Sequence, residues 1–144
     1  MPTLIKSGTL ITAAETFTAD ILIEGEKIAA IGVHLTIPDA QVIDADGKLV
    51  MPGGIDPHTH FDLPMFDTVS SDDHYTGHKA AAFGGTTTVM DFIPQDHVTL
   101  GEAVDAWHTK ADSKAAVDFS FHMNITRPVS YTHLRAHETT ASLS

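Results

Sequence analysis

Two histidines separated by one residue, His58 and His60, are the clearest chemical feature of the sequence. In an extended segment, side chains at positions i and i+2 project from the same face, so two imidazoles can converge on one ion. Zinc accepts neutral imidazole nitrogen, and catalytic zinc sites keep one position open for water. Nearby aspartates make the segment acidic, which suits a cation: Asp56, Asp62 and Asp67. The spacing therefore predicts half of a metal site.

The elements around this pair follow an alternating order. Residues 55–58 predict a brief buried strand that ends at the histidines, and a helix follows it. Residues 86–93 are β-branched and aromatic, which predicts a buried strand, and residues 117–125 alternate apolar with polar as a strand does. The order strand, helix, strand, helix, strand is typical of a parallel sheet. In (β/α)8 barrels the active residues lie at the carboxyl ends of such strands, where His58 and His60 fall.

Helix limits and faces are predicted from capping residues and apolar spacing. Ser70 and Ser71 are candidate N-caps of the first helix, which residues 84–85, both glycine, should end. Its predicted buried face consists of Tyr75, Ala82 and Phe83. The predicted apolar stripe of the second helix consists of Leu100, Ala103, Val104, Trp107 and Ala111. Thr99 and Glu102 fit a capping box at the start of the second helix. Phe83 and Trp107 are expected to pack on the sheet.

The first 52 residues predict a separate unit of short strands. Turn signals at residues 7–8, 24–26 and 44–47 each lie between apolar segments and predict three hairpins. Strands this short with turns this frequent are typical of a β-sandwich or small barrel. The sequence changes character at residues 51–54, where proline and paired glycine interrupt it.

Composition limits the classes of partner. Lys and Arg total 8 against 19 Asp and Glu, and the net charge of −11 argues against a nucleic-acid partner. No cysteine is present, which excludes disulfides and thiolate ligands. No apolar run reaches the roughly 18 residues of a membrane span, and no signal peptide is evident. A cytoplasmic protein without membrane contact is expected.

The segment around the histidine pair resembles a known family. Residues 51–60, Met-Pro-Gly-Gly-Ile-Asp-Pro-His-Thr-His, resemble the signature of the amidohydrolase superfamily. Residues 61–64, 68–73 and 76–87 narrow the resemblance to dihydropyrimidinases and the similar D-hydantoinases, over residues 3–127 in all. Two alternatives stay open: a non-catalytic, dihydropyrimidinase-like scaffold protein, and another cyclic amidohydrolase such as an allantoinase. Retention of both histidines argues against the first, and residues 61–73 argue against the second.

The resemblance implies an α/β fold, an activity and a cofactor. It implies a metal-dependent (β/α)8 TIM barrel, preceded by an N-terminal segment of a β-sandwich that both chain ends build. Two zinc ions per full-length subunit are implied, with His58 and His60 on the more buried ion. A carboxylated lysine, two histidines and an aspartate beyond Arg127 would complete the site. Metal-bound hydroxide would then open a dihydropyrimidine or hydantoin ring to an N-carbamoyl amino acid, in a homotetramer, with Met65 and Phe66 contacting the substrate.

The chain is expected to be a fragment. Residues 1–52 are assigned to the sandwich and residues 53–127 to the first βα units of the barrel. Residues 128–144 resemble the translation of a sequencing adapter and are assigned as a non-native tail, so His133 and His137 receive no role. A barrel needs about 250 residues, and every ligand after His60 is missing. No catalytic residue is therefore expected within the chain, which is predicted to be inactive alone and poorly soluble.

Other polar residues receive structural interpretations. His74 and His78, four residues apart, are expected on the solvated surface of the first helix, and His108 on that of the second. His122 is expected to pack within its strand. Asp91 is placed at the end of the second strand of the barrel, where a simple cap or loop bond is favoured over support of the metal ligands.

Overall fold

The structure, a computed structural model, describes residues 1–126 in two compact units, Met1–Pro52 and a second that begins at Gly53. The first contains β1 Thr3–Ile11, β2 Thr16–Glu24, β3 Lys27–Gly32, β4 Gln41–Asp44 and β5 Leu49–Val50. The second contains β6 Gly54–Thr59, β7 Pro64–Met65, β8 Thr68–Val69, α1 His74–Phe83, β9 Thr86–Pro94, α2 Leu100–Ala111 and β10 Asp118–Asn124. Neither helix in this part of the chain is long and apolar enough to cross a membrane.

The first unit forms one five-stranded sheet. β2 pairs antiparallel with β1 and β3, whereas β4 and β5 both run parallel to β1. Leu10, Ala19 and Ile21 form its buried apolar cluster. The predicted hairpin at residues 24–26 is confirmed, and Gly25 adopts the positive φ of 62° that this turn requires.

The other two predicted hairpins of this unit are wrong. Residues 7–8 form a bulge inside β1, where Ser7 has a φ of 60° and its amide donates to Asp20 Oδ1 over 2.8 Å. That bond chiefly lowers the pKa of Asp20, whose second oxygen accepts from the Leu35 amide. Residues 44–47 connect β4 and β5, which both run parallel to β1, and the Ala45 amide in this connection donates to the Lys6 carbonyl beside the bulge over 2.9 Å.

The second unit contains the predicted parallel sheet, in the order β10-β9-β6. α1 and α2 connect its strands, and Ile93, Ala103 and Trp107 form its buried cluster. The strand at residues 55–58 is present as β6, but Ile55 is 63% exposed, so the prediction of burial is wrong. β6 pairs with β9 on one side only within residues 1–126, which leaves it an edge strand.

Helix α2 agrees with its sequence signals. The Thr99 side chain accepts from the Glu102 amide while the Glu102 carboxylate accepts from the Thr99 amide, which is the predicted capping box. Ala103, Trp107 and Ala111 are buried at helical spacing. The predicted packing of Trp107 on the sheet is thus confirmed.

Helix α1 begins later than predicted and buries another face. Its N-cap is Asp73, whose side chain accepts from the Thr76 amide over 2.8 Å, rather than Ser70 or Ser71. Tyr75 and Phe83 are 50% and 84% exposed and Ala82 is exposed, so the predicted apolar face is wrong. The buried residues are His74, Gly77 and His78. Gly77 decides this orientation, because a Cβ there would collide with the Phe61 ring. The predicted stop at residues 84–85 is confirmed by the Gly84 cap.

Candidate metal centre

The two histidines of the predicted pair face each other at the carboxyl end of β6. His58 lies in β6 and His60 directly follows it, with their Nε2 atoms 3.2 Å apart and their rings at 81°. Two nitrogens bound to one tetrahedral zinc at 2.0–2.1 Å lie about 3.3 Å apart, so this separation already matches shared ligation. Both side chains are exposed. The separation of the two Nε2 atoms is therefore that of two ligands on one zinc ion.

An aromatic ring supports both imidazoles from the neighbouring strand. The Phe92 ring centroid lies 4.4 Å from that of His58 and 5.6 Å from that of His60. On its other side lies His122, 4.9 Å away, which is the register partner of Phe92 on β10. His122 is exposed, so its predicted packing within the strand is wrong. These four side chains share one face of the sheet because alternate strand residues project to the same side.

The donor set is incomplete within the described residues. No group of three or more His, Cys, Asp or Glu side chains in residues 1–126 is arranged to hold a metal ion. Two imidazoles leave at least two positions of a tetrahedral zinc without protein ligands. The described residues thus fit half of a coordination sphere.

The opposite face of β9 carries a buried carboxylate, that of Asp91. Its Oδ1 accepts from the Phe61 amide at 3.1 Å and from Thr59 Oγ1 at 3.4 Å, and its Oδ2 accepts from Trp107 Nε1 at 3.1 Å. Burial raises the pKa of the Asp91 carboxyl, and these bonds oppose that rise. Asp91 lies inside β9 and joins β6, α2 and the segment after His60. The expected simple cap or loop bond is therefore wrong.

The histidines of α1 are buried, which contradicts their predicted place on the solvated helix surface. His74 and His78 are both fully shielded, with His74 Nδ1 3.4 Å from His78 Nε2. Their ring centroids lie 5.4 Å and 5.3 Å from that of Phe61. Burial, with the neighbouring His78 contributing, lowers the pKa of His74 to about 4. Gly77 places both imidazoles against the sheet, a contact that helical spacing alone did not indicate.

Two lysines attach α2 and the following turn to the segment after His60. Lys110 Nζ donates to the Asp62 carbonyl over 2.8 Å and lies 3.9 Å from the Trp107 ring centroid. Lys114 Nζ lies 3.0 Å from the Asp73 carboxylate, which helps to lower the pKa of Asp73 to about 2 after the leading bond from the Thr76 amide. The sequence did not indicate these contacts, because neither lysine lies near its partner in sequence.

The residues predicted to contact substrate lie on a small hairpin. Met65 belongs to β7, which pairs with β8, and is 47% exposed. Phe66 is fully exposed at the turn with a φ of 53°. Phe92 was not among the predicted site residues. Its position beside the histidines could have been predicted from the alternation of β9, which places Phe92 on the face opposite Asp91.

Sequence comparison identifies the group to which this architecture belongs. The Amidohydrolase family matches residues 41–141. D-hydantoinase of Geobacillus stearothermophilus is 51% identical over 126 residues, covering 87% of this chain and 27% of that protein. Dihydropyrimidinase of Dictyostelium discoideum is 45% identical over 125 residues, covering 85% of this chain and 25% of that protein. The chain thus spans about a quarter of the length of these curated relatives.

Solved structures agree with the sequence relatives. A crystal structure of D-hydantoinase superposes with a TM-score of 0.88 at 44% identity, covering 99% of this chain and 31% of that one. The crystal structure of dihydropyrimidinase from Brevibacillus agri gives a TM-score of 0.87 at 45% identity, with the same coverage. The shared barrel-type order of strands and helices, the facing imidazoles and these similarities show that the chain belongs to the amidohydrolase family, whose members are metal-dependent enzymes.

Proposed function

We propose that the chain is the N-terminal part of a zinc-dependent hydrolase of cyclic amides, which opens dihydropyrimidine or hydantoin rings at a C–N bond. The observation that carries the proposal is the 3.2 Å separation of His58 Nε2 and His60 Nε2 at a strand end. The names of the relatives, D-hydantoinase and dihydropyrimidinase, support this substrate class. The remaining ligands, a second zinc ion, the homotetramer and a cytoplasmic location are proposed for the full-length protein.

Each residue of the described site has a defined task in this proposal. His58 and His60 hold one zinc ion through their Nε2 atoms, and the Phe92 ring packs against both imidazoles. Zinc supplies, when bound, the activation of water near neutral pH that amide hydrolysis needs. Met65 and Phe66 extend into solvent on the hairpin after His60. We propose that they contact the ring substituent of the substrate.

The domain limits follow from the same proposal. Residues 1–52 belong to a β-sandwich and residues 53–127 to the first βα units of a TIM barrel. We propose that residues 128–144 are not native. They lie outside the residues that the structure describes, and the family match extends to residue 141. Sequencing the genomic locus tests this: native codons that continue the barrel after Arg127 support it, and a stop codon after Ser144 refutes it.

Metal content and ring opening in the full-length protein test the function. We expect about two zinc ions per subunit and hydrolysis of dihydrouracil or hydantoin to the N-carbamoyl product. His58→Asn and His60→Asn should each lower zinc content and reduce turnover by more than the roughly 10–100-fold typical of residues that only support ligands. The 144-residue chain alone should show no turnover.

A matched substitution separates ligation from general damage. His34 is exposed in the first unit with a φ of 58°, a conformation that asparagine tolerates. His34→Asn should leave zinc content and turnover unchanged. A full-length protein without zinc and without turnover would instead identify a non-catalytic scaffold, and activity confined to allantoin would identify the other class of amidohydrolase.

A further inference from the structure

A buried carboxylate on β9 lies directly behind the metal pair. Asp91 is 1% exposed, and burial of a carboxylate is costly unless donors surround it. Its Oδ1 accepts from the Phe61 amide and its Oδ2 from the Trp107 indole N–H, while the Thr59 hydroxyl proton is shared between Oδ1 and the Met90 carbonyl. The Phe61 amide and the Trp107 indole can only donate, one to each oxygen, so the site requires a residue that accepts at both positions. That requirement distinguishes aspartate from asparagine at this position.

Two of these donors flank the predicted ligands in the chain. Thr59 lies between His58 and His60, and Phe61 directly follows His60. Thr59 Oγ1 has one proton, which it shares between the Met90 carbonyl at 3.1 Å and Asp91 Oδ1 at 3.4 Å, and both acceptors belong to β9. Successive residues of an extended segment project to opposite faces. Attachment of residues 59 and 61 on the helix side therefore fixes the direction of residues 58 and 60 on the other side.

Regular sheet pairing does not fix this segment. The register between β6 and β9 is irregular between Asp56 and Thr59, and His60 lies beyond the end of β6. The backbone hydrogen bonds of the sheet therefore fix only part of the segment that carries the two histidines. The Asp91 carboxylate fixes the rest of it, through its contacts with Thr59 and Phe61. Trp107, bonded to the other oxygen, fixes the carboxylate in turn.

We propose that Asp91 is a positioning residue of the metal centre, which acts through Thr59 and Phe61 to hold the two imidazoles in ligating geometry. The inference rests on the proposed function, since it assigns His58 and His60 as ligands. Residues that orient metal ligands typically alter metal affinity about 10–100-fold when replaced. We expect that range for Asp91→Asn, because the amide places an N–H group toward either the Phe61 amide or the Trp107 indole N–H.

The test measures zinc affinity by chelator competition, and thermal stability separately, in the full-length protein. Asp91→Asn should weaken zinc binding about 10–100-fold. Trp107→Phe removes the donor at Oδ2 but leaves the bonds to Phe61 and Thr59, so zinc affinity should stay within about 3-fold of wild type although stability falls. In Asp91→Asn/Trp107→Phe the amide nitrogen no longer faces the indole N–H, and His74 Nε2, 3.7 Å from Oδ2 in the wild type, lies beside it; the amide oxygen is then free to accept from Phe61. Zinc affinity should therefore recover at least 5-fold relative to Asp91→Asn.

A second pair of variants covers the case in which Asp91→Asn does not fold. Thr59→Val removes one donor with little change in shape and should weaken zinc binding measurably, by about 3–10-fold. Thr87→Val, at an exposed position of β9, is its control and should have no effect.

The outcomes separate the inference from the proposed function. Wild-type zinc affinity in Asp91→Asn, or in Thr59→Val where Asp91→Asn is unfolded, overturns the positioning role and leaves the hydrolase proposal intact. The positioning role is also overturned if zinc affinity and thermal stability fall in parallel across all variants and the double variant recovers no zinc affinity. Absence of zinc from the wild-type protein refutes the proposed function, and the inference with it.

Discussion

At the scale of single residues, two pairs of histidines experience opposite environments. His58 and His60 are exposed on the strand face, where their ring nitrogens are accessible to a metal. His74 and His78 are enclosed on the helix side, where a charge is poorly tolerated. The difference follows from the elements around each pair. The exposed pair depends on β6 alone, whereas the enclosed pair needs Gly77 to bring α1 onto Phe61.

The enclosed pair predicts loss of stability at acid pH. The pKa of His74 is about 4 in the folded protein, below its ordinary 6.5. As the pH falls below 6.5, the unfolded chain takes up the proton first, so the free energy of unfolding falls between pH 6.5 and 4. At about 1.4 kcal/mol per unit of pKa, His74 accounts for up to about 3 kcal/mol. Asp91, whose pKa is raised, opposes part of this fall.

Urea unfolding between pH 7.5 and 4.5 measures the effect. The groups near His74 are His78, Asp62, Asp91, Lys110 and Lys114, and all remain in the variant His74→Phe. That variant should have a flatter dependence of unfolding free energy on pH. His97→Gln, at an exposed loop position, should keep the wild-type slope. An unchanged slope in His74→Phe would contradict the assignment to His74.

At the scale of elements, Gly77 and Gly101 provide a matched comparison between the two helices. A Cβ at Gly77 collides with the Phe61 ring, whereas a Cβ at Gly101 meets nothing within 4 Å. Gly77→Ala should therefore lower the free energy of unfolding by about 1–3 kcal/mol, because overpacking outweighs the gain in helix propensity. Gly101→Ala should raise it by up to about 1 kcal/mol. Stabilisation by Gly77→Ala, in the same urea experiment, would show that α1 does not pack on Phe61.

Local signals predicted some elements fully and others only in part. α2 was predictable because its capping box and its apolar spacing lie within one segment. The buried face of α1 was not, since two of its three buried residues are histidines and their burial depends on Phe61, from another segment. Turn signals at residues 44–47 indicated a reversal of chain direction, but β4 and β5 both run parallel to β1, a pairing between segments distant in sequence that the local turn residues do not determine.

The candidate site, too, was predicted where its geometry depends on local sequence and not where it depends on the tertiary fold. The i, i+2 spacing of His58 and His60 was sufficient to place the two imidazoles on one face. The contacts of Asp91 were not, because its three donors come from residues 59, 61 and 107, which only the tertiary fold brings together. Phe92 is an intermediate case, since strand alternation gives its face but not its neighbours.

At the scale of the whole molecule, unpaired strand edges and apolar surface dominate the behaviour expected in solution. In the first unit, Ile28 and Ile31 are 62% and 50% exposed and line an apolar groove of about 290 Å³ with Leu10, Ile21 and Val50. β3 forms one edge of that sheet and β4 and β5 form the other, and β6 and β10 are the edges of the parallel sheet within residues 1–126. Exposed edges beside apolar faces promote association between chains.

We therefore expect the 144-residue chain to associate at micromolar concentration despite its net charge of −11. Sedimentation velocity should show a mass distribution that grows with concentration. Ile28→Lys/Ile31→Lys places two charges in the groove and should shift the distribution toward the monomer. Phe66→Lys, which removes a fully exposed aromatic residue from the second unit, should shift it less, because that ring does not belong to a continuous apolar face. A wild-type chain that sediments as a monodisperse monomer and unfolds cooperatively would show that the groove is not an association surface.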